Sequence, residues 1–509
     1  MTKDEGLFSL ANIHRQTIAC RRNKRNTVNA LRFEARQELN LLELRDALAA
    51  RSYEPSRSVC FFVERPKLRE IFAADFRDRV VHHVLVSYLE KTWERVFIHD
   101  SYACRKGKGV HAAVARLQEF MRQATANGTR CAWTLQLDIR NYFMTIDRGR
   151  LFAMLGARFD ARRADDADAR WLTEKLVFHD CTRDPVMQGD PRLIERLPPH
   201  KTLFRAAPDK GLPIGNLNSQ FFANVYLNAL DQFVKHELKC RWYLRYCDDF
   251  VLVARTPEQL RDWKGRITDF LSGRLALQLN PTRERLRPVA DGVDFLGYIV
   301  RPHHLLVRRR VVGHLREALS KSEARLVLRN PRATLYRFDA EALDALQASL
   351  ASYLGHLKRA SCRRLVAAIW ARHAWLVGYF ELDRAALRLK RRDRAPQGAQ
   401  TVLAQYRHWR EAFPGDVVLM QIGAFVERLQ WPPRRLRVDV AGSSGESGLR
   451  RMRATRRGAL EGFPISQLRR RVAALLAAGH DVTFVGQAGE SGTRVMARRP
   501  VARWVAARG

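Results

Sequence analysis

Two adjacent carboxylates, Asp248 and Asp249, lie in an otherwise apolar run, with Tyr243-Leu244-Arg245-Tyr246-Cys247 before them and Phe250-Val251-Leu252-Val253 after. Burying such a pair is costly unless something neutralises it. A hairpin tip between two strands would present both at a cleft, where a divalent cation balances their charge. A third carboxylate, Asp138, closes another apolar run, Trp133-Thr134-Leu135-Gln136-Leu137. If the two runs are neighbouring strands, the three carboxylates converge. Two Mg²⁺ ions about 3.5–4 Å apart would then activate a 3′-hydroxyl and stabilise a leaving pyrophosphate. Magnesium suits the task because it takes carboxylate and phosphate oxygens together, with Mn²⁺ as the alternative ion. The plainer reading is an Asp pair capping a turn and an aspartate ending a strand. The neighbouring motifs decide between the two.

The positioning elements follow from hydrophobic periodicity. Leu135 to Ile139 and Leu244 to Ala254 read as strands, interrupted by acidic residues where a strand ends or turns. Between them, Gly211 to Lys235 is a Gly-Pro turn leading into a helix, with Phe222, Val225, Leu227 and Leu230 on its buried face. Upstream, a basic patch at Arg21 to Arg25 precedes Leu31, Phe33, Leu39, Leu41, Leu42, Leu44 and Leu48, spaced as on one helix face. Val59 to Val63 reads as a strand, Pro66-Lys67-Leu68-Arg69-Glu70-Ile71 as a basic turn into another, and Asp78 to Arg95 as an amphipathic helix. Val307 to Leu389 reads as mostly helical and basic, and Arg391 to Gln400 has linker composition. Beyond it come a strand at Val417 to Ile422, a Gly/Ser-rich loop at Gly442 to Gly448, a helix at Pro464 to Gly479 and a strand at Asp481 to Val485. This alternation predicts a small separate α/β domain.

Composition narrows the partners. Among 509 residues, 90 Lys+Arg stand against 53 Asp+Glu, a formal net charge of +37. That excess exceeds what solubility requires and points to a polyanion. The basic residues are spread through folded-looking sequence, which favours nucleic acid over a membrane surface. Charge alone fits a non-catalytic nucleic-acid-binding protein equally well. The length predicts roughly two to four domains. The eight Cys form no CxxC pairs and no His-interleaved spacing, which argues against a zinc–thiolate site and for reduced thiols in a cytoplasmic protein. Met1 to Leu10 lacks a signal-peptide pattern, and no apolar run is long enough to span a bilayer.

Tyr246-Cys247-Asp248-Asp249 resembles the Tyr-X-Asp-Asp box of reverse transcriptases, and Leu137-Asp138-Ile139-Arg140-Asn141-Tyr142-Phe143 resembles their first palm motif. The resemblance implies that Asp138, Asp248 and Asp249 are catalytic metal ligands, with the Ile139 carbonyl a further ligand and Tyr246 beside the nucleotide. Phe143 falls at the steric-gate position that selects deoxynucleotides. Gly211-Leu212-Pro213-Ile214-Gly215-Asn216-Leu217-Asn218-Ser219-Gln220 resembles the second palm motif, so that Ile214, Gly215, Ser219 and Gln220 would contact template and incoming base. Its Ile-Gly…Ser-Gln form is typical of diversity-generating retroelement enzymes. Group II intron enzymes usually carry Gln and Pro where this chain has Ile214 and Gln220, and Asn218 departs mildly from the retroelement pattern. Replacing an amide by Ile214 removes a polar contact that could report on base-pair geometry, consistent with that family's errors at template adenines. Ser101 to Gly109 resembles a fingers motif, placing Arg105 near nucleotide or template, while Lys67 and Arg69 resemble residues that grip the triphosphate. Asp294 to Tyr298 resembles the primer-grip hairpin and Tyr353-Leu354-Gly355-His356 a thumb segment. The resemblance runs from about Leu7 to Asp383.

A second resemblance covers the C-terminal part. Asp416 to Glu427 resembles the mismatch-sensing segment of MutS domain I, whose Phe-X-Glu element wedges a ring against a mispaired base. Phe425 and Glu427 keep both residue types at that spacing. A mismatch, being weakly paired, lowers the unstacking cost of such a wedge. Gly462-Phe463-Pro464 and Val482 to Gln487 fit later segments of that domain. Ala424 replaces the usual Asp, Trp431 to Gly448 matches poorly, and no Walker motif is present.

The sequence therefore predicts an α+β right-hand polymerase of fingers, palm and thumb, followed by a small α/β MutS-I-like domain. The expected boundaries are a helical extension over 1–58, fingers and palm over 59–300, a helical thumb over 301–388, a linker over 389–403 and the MutS-I-like module over 404–509. The implied function is RNA-directed DNA synthesis on a template-repeat RNA, error-prone at adenines. The implied partners are template RNA, cDNA, RNA–DNA heteroduplex, dNTPs and a small basic accessory protein, with no membrane. A related reverse transcriptase serving phage defence or another host task shares the chemistry and differs in purpose.

Overall fold

The computed structural model describes residues 6–22, 27–64, 67–394, 401–429, 460–488 and 496–507. The expected loop at Gly442 to Gly448, most of the basic patch at Arg21 to Arg25, Pro66, and residues 395–400 of the expected linker lie outside them. The chain divides into two compact units, Met1–His303 and His304–Gly509.

The first unit is organised by a four-stranded antiparallel sheet in the spatial order Trp242–Tyr246, Asp249–Ala254, Trp133–Asp138, Arg285–Pro288. Side chains alternate between its faces. Leu135, Leu137, Tyr243, Phe250 and Leu252 are buried in one large core with Phe222, Tyr226 and Leu230 of the helix Leu217–Gln232 and with Ile267 and Leu271 of the helix Pro257–Leu275. The alternate residues, among them Gln136, Asp138, Tyr246 and Asp249, therefore share the opposite face. The polar ends of two apolar strands fall there because an apolar core accepts only every second residue.

The run Leu244 to Ala254 forms the expected hairpin, with Tyr246 opposite Asp249 and Cys247-Asp248 forming the turn. Cys247 takes a left-handed φ of 58°. A smaller sheet joins Arg69–Ala73, Val59–Val63 and Val186–Gln188. A tight hairpin pairs Val293–Phe295 with Tyr298–Val300 around Leu296 and Gly297, both at positive φ. The leucine stripe near the N-terminus is broken into two helices, Val28–Glu34 and Gln37–Ala49, because the chain leaves helical geometry at Arg36. Leu31, Leu39 and Leu42 are exposed.

In the second unit the helices Arg309–Leu326, Ala340–Leu357 and Arg363–Arg372 enclose a leucine-rich core. A seven-stranded sheet runs in the order Val327–Arg329, Ala333–Arg337, Arg498–Ala506, Val482–Gln487, Val417–Ile422, Phe425–Leu429, Leu460–Pro464. The expected separation of a helical thumb from an independent module differs from this arrangement. Arg498–Ala506 pairs with Val482–Gln487 on one side and with Ala333–Arg337 on the other, so one sheet spans both segments. Asp416 braces the strand Arg498–Ala506 against its neighbour Val482–Gln487: its carboxylate receives Arg503 Nε at 2.7 Å, Arg503 Nη2 at 2.8 Å and the Thr483 hydroxyl at 2.5 Å. Within the expected linker, Arg391 ends the strand Arg388–Arg391, is buried, and donates to Asp393 and Asp344.

Candidate active site

The sheet register sets the site. Asp138 lies directly opposite Asp249, and Asp248 occupies the adjoining turn, where its carbonyl accepts the Ile139 N–H at 3.2 Å. Directly opposed cross-strand residues have Cβ atoms about 4.5–5.5 Å apart, and like charges there are destabilising. The titration behaviour agrees. Burial pushes the Asp249 carboxyl up to about 7, with Asp248 and Asp138 adding to the rise against a hydrogen bond from Gln136. Burial, then Asp138, likewise raises Asp248. Three carboxylates compete for one cleft, and a divalent cation is the group that would relieve them.

Amide and guanidinium side chains hold two of the three. Asp138 accepts Asn280 Nδ2 at 2.9 Å on one oxygen and Arg283 Nη1 at 3.0 Å on the other. Asp249 accepts Gln136 Nε2 at 3.0 and 3.3 Å. In these rotamers no three His, Cys, Asp or Glu side chains among the described residues form a ready metal-binding group. Backbone positions and donor chemistry nonetheless fit a pair of hard cations. Arg283 is 47% exposed and supplies a positive charge to Asp138. Its partner Asp138 is buried, so the pair is screened by solvent on the Arg283 side alone.

Cations gather at the approach. Burial and the neighbouring Arg283, Lys201 and Arg69 pull the Lys67 ammonium below its usual range, against the opposing effect of Asp138. Lys67 and Arg69 are both exposed. Like charges crowded in this way favour a polyanion.

The second palm-like motif is locked to these elements through the main chain. Phe72 donates to the Ile214 carbonyl at 2.9 Å, and Leu212 donates to the Phe143 carbonyl at 2.8 Å. Gly215 has φ of 124°, and a Cβ there would meet the Phe72 carbonyl oxygen at 2.9 Å and Ile71 Cγ2 at 2.8 Å. Only glycine allows so close an approach to the strand that carries Arg69. Phe143 is half-buried, its ring edge-on to Tyr142 at 5.6 Å. Tyr246 is half-buried, and burial first, then Cys104 and Cys247, raises its phenol. Gln220 is exposed and accepts Cys104 Sγ at 3.3 Å, while Ser219 is buried with no partner for its hydroxyl.

Arg105 corrects the expectation placed on it. Its guanidinium is spent on Glu94 and on the carbonyls of Ile98 and Ser101, at 2.7–3.1 Å, and its side chain is only 6% exposed. It braces the loop from inside and offers nothing to a nucleotide. Phe425 and Glu427 lie in the second unit, two residues apart on one face of the strand Phe425–Leu429. Phe425 is 49% exposed, and burial raises the Glu427 carboxyl against the pull of Arg498.

Sequence reading passed over Gln136, Asn280, Arg283 and Arg245. Gln136 carried a usable signal, since it lies two residues before Asp138 on the same strand face. Its amide donates to Asp249 and also to the Asp294 carbonyl at 3.2 Å, tying a catalytic-type carboxylate to the neighbouring hairpin. Replacing Gln136→Leu keeps the bulk and deletes both bonds. Primer extension followed against Mg²⁺ concentration should fall about 10–100-fold, or need correspondingly more Mg²⁺. An unchanged Mg²⁺ profile would show that the amide is only packing.

A sheet that sets Asp138 opposite Asp249 beside Asp248, bordered by cations, is an arrangement that suits nucleotidyl transfer. Residues 64–300, which contain all three carboxylates, match the family model described as reverse transcriptase (RNA-dependent DNA polymerase). This part of the chain is a reverse-transcriptase domain of mixed α/β structure, and its activity is that of an RNA-directed DNA polymerase. Enzymes of this class use divalent metal ions. Protein YkfC of Escherichia coli (strain K12) is 28% identical over 323 residues, covering 57% of this chain and 77% of its own length. Group II intron-encoded protein LtrA of Lactococcus lactis subsp. cremoris is 20% identical over 298 residues, and this chain spans 45% of LtrA. The telomerase of Candida albicans, solved with a fragment of telomeric RNA, aligns with a TM-score of 0.35 at 10% identity over 61% of this chain and 56% of its own.

Proposed function

We propose that the whole chain is a reverse transcriptase of the diversity-generating retroelement type, in which Asp138, Asp248, Asp249 and the Ile139 carbonyl hold two Mg²⁺ ions. The observation that carries the catalytic part is the direct cross-strand opposition of Asp138 and Asp249 beside Asp248. When bound, the ions lower the pKa of the primer 3′-hydroxyl and neutralise the leaving pyrophosphate. The protein's own groups do the positioning. Gln136 fixes the rotamer of Asp249, Lys67 and Arg69 receive the triphosphate, and the half-buried ring of Phe143 limits the room beside the sugar. Ile214, Gly215 and Gln220 face the template and incoming base, whereas Ser219, expected beside them, is buried, and Tyr246 lies at the same cleft.

The retroelement assignment rests on the Ile214…Ser219-Gln220 form of the second palm motif. In this reading the enzyme works in the cytoplasm on a template-repeat RNA, with dNTPs as substrates and an RNA–DNA heteroduplex as product. A small basic accessory protein assists it. The C-terminal segment is read as MutS-I-like, with exposed Phe425 wedging at mismatched heteroduplex and Glu427 bonding the displaced base. No helix among the described residues is long and apolar enough to cross a membrane.

The test is primer extension on an RNA template with the cDNA sequenced. Substitutions concentrated at template adenines are expected. Accurate cDNA would remove the diversifying role and leave the polymerase, and absence of any Mg²⁺-dependent product would remove both.

A further inference from the structure

A concave polar surface within the first unit shares no residue with the carboxylate cleft. It is a cavity of about 770 Å³ between the helix Leu10–Arg21, the end of the helix Phe76–Trp93 and the connection from Gly156 to Ala164. Five cationic side chains line it: Arg15, Lys91, Arg95, Arg158 and Arg163. All five are exposed, and none forms a salt bridge among the described residues. Elsewhere on the same unit comparable residues are paired, as in Arg51 with Asp168 and Lys175 with Glu54.

Three carboxylates, Asp160, Asp165 and Asp166, share the lining, and the five cations leave a formal excess of two positive charges over them. Asp165 accepts the Leu7 N–H at 3.0 Å. Asp166 accepts the Asp160 N–H at 2.7 Å and the Tyr88 hydroxyl, and Asp160 accepts the Arg162 N–H at 3.0 Å. All three are engaged in building the wall. The cations that contact aromatic rings cover them from outside: Lys91 sits 6.0 Å from the Tyr88 centroid and Arg158 5.8 Å from that of Trp93. A ligand would therefore meet positive charge with no open ring on which to stack a base.

A single cavity holding five unpaired cations matches a small ligand with several negative charges close together better than an extended strand. We propose that it is a binding site for a compact oligophosphate, namely the triphosphate of a free nucleotide or the 5′-triphosphate end of an RNA. Arg15 and Arg158, from two separate elements, would clamp it by charge-assisted hydrogen bonds.

Inorganic tripolyphosphate is the probe, titrated calorimetrically into the full chain in EDTA so that no divalent ion recruits it to the carboxylates. The pair Arg15→Gln/Arg158→Gln should weaken binding at least about 10-fold, since each change removes a bond to a charged group. Lys67→Gln/Arg69→Gln should leave it unaltered. Primer extension by Arg15→Gln/Arg158→Gln on a short RNA with a 5′-hydroxyl should match the parent chain. Displacement of the probe by 5′-triphosphate RNA and not by its 5′-hydroxyl counterpart would identify the RNA end as the source, and displacement by ATP the free nucleotide. Equal displacement by 5′-hydroxyl RNA would overturn the assignment, as would undiminished binding in the Arg15/Arg158 pair or a loss that appears only in the Lys67/Arg69 pair.

Discussion

Asp248→Asn is expected to abolish primer extension while leaving the fold intact. The substitution is isosteric and removes one of three carboxylates crowded at the end of the central sheet. A two-ion site that loses a ligand charge should lose at least about a thousandfold in rate, equivalent to about 4 kcal/mol at 1.36 kcal/mol per decade. Stability should move the other way in the absence of divalent ions. Burial and the neighbouring Asp138 raise the Asp248 carboxyl, so its charged form is held at a cost. Removing that charge should leave the melting temperature in EDTA equal to or above that of the parent chain. Added Mg²⁺ should stabilise the parent chain and barely affect the variant, because ligand binding stabilises only a state with affinity for it. The two readouts separate roles. Asp248 as a plain turn residue would give a drop in melting temperature and normal synthesis. A non-catalytic nucleic-acid binder would show neither the rate loss nor the Mg²⁺-dependent difference.

Much of this cleft was legible because its chemistry is local. Asp138 ends an apolar strand, Asp248 and Asp249 interrupt another, and strands with one buried face bring such interruptions to a common edge. Period-two alternation would also have flagged Gln136 had it been followed one step back from Asp138. Asn280, Arg283 and Lys201 were not legible, because loops far along the chain deliver them and no local pattern marks a loop residue that folds over a site. Arg105 was misread for a related reason. A basic residue beside Gly107 and Gly109 looks poised for phosphate, yet Glu94, eleven positions earlier, takes its guanidinium. The leucine stripe from Leu31 to Leu48 has helical spacing, but spacing does not register the break at Arg36. In the second unit the join between Ala333–Arg337 and Arg498–Ala506 is a main-chain pairing across a long sequence separation. Local composition says nothing about such a pairing, so the expected domain boundary fell inside a continuous sheet.

Arg245→Met should produce the largest loss of stability, and its compensation pattern should reveal a second role. Arg245 and Asp231 are both fully buried. Each of the five guanidinium N–H groups finds an acceptor: Nε and Nη2 reach Asp231 at 2.8 and 2.6 Å, Nη2 also reaches Ser101 Oγ at 3.1 Å, and Nη1 reaches Asn224 Oδ1 at 3.1 Å and the Cys247 carbonyl at 3.0 Å. Tyr243 donates a further bond to Asp231 at 2.7 Å. Methionine fills much of the volume and leaves Asp231 as an unpaired buried charge, which costs about 3–5 kcal/mol. Arg245→Lys keeps the charge but lacks the planar fork, so it should recover only part of that loss. In the double variant Arg245→Met/Asp231→Leu no buried charge remains, and urea denaturation should show most of the stability restored. Activity should not return with it. The bond to the Cys247 carbonyl holds the Cys247-Asp248 turn together with the Ile139 N–H on the Asp248 carbonyl, and the turn's left-handed residue costs of order 1–3 kcal/mol and persists only where its surroundings fix it. Without the bond from Arg245 the turn is freer to relax, and Asp248 leaves its place beside Asp138 and Asp249. A double variant that regained synthesis along with stability would reduce Arg245 to a core residue and locate the control of the turn elsewhere.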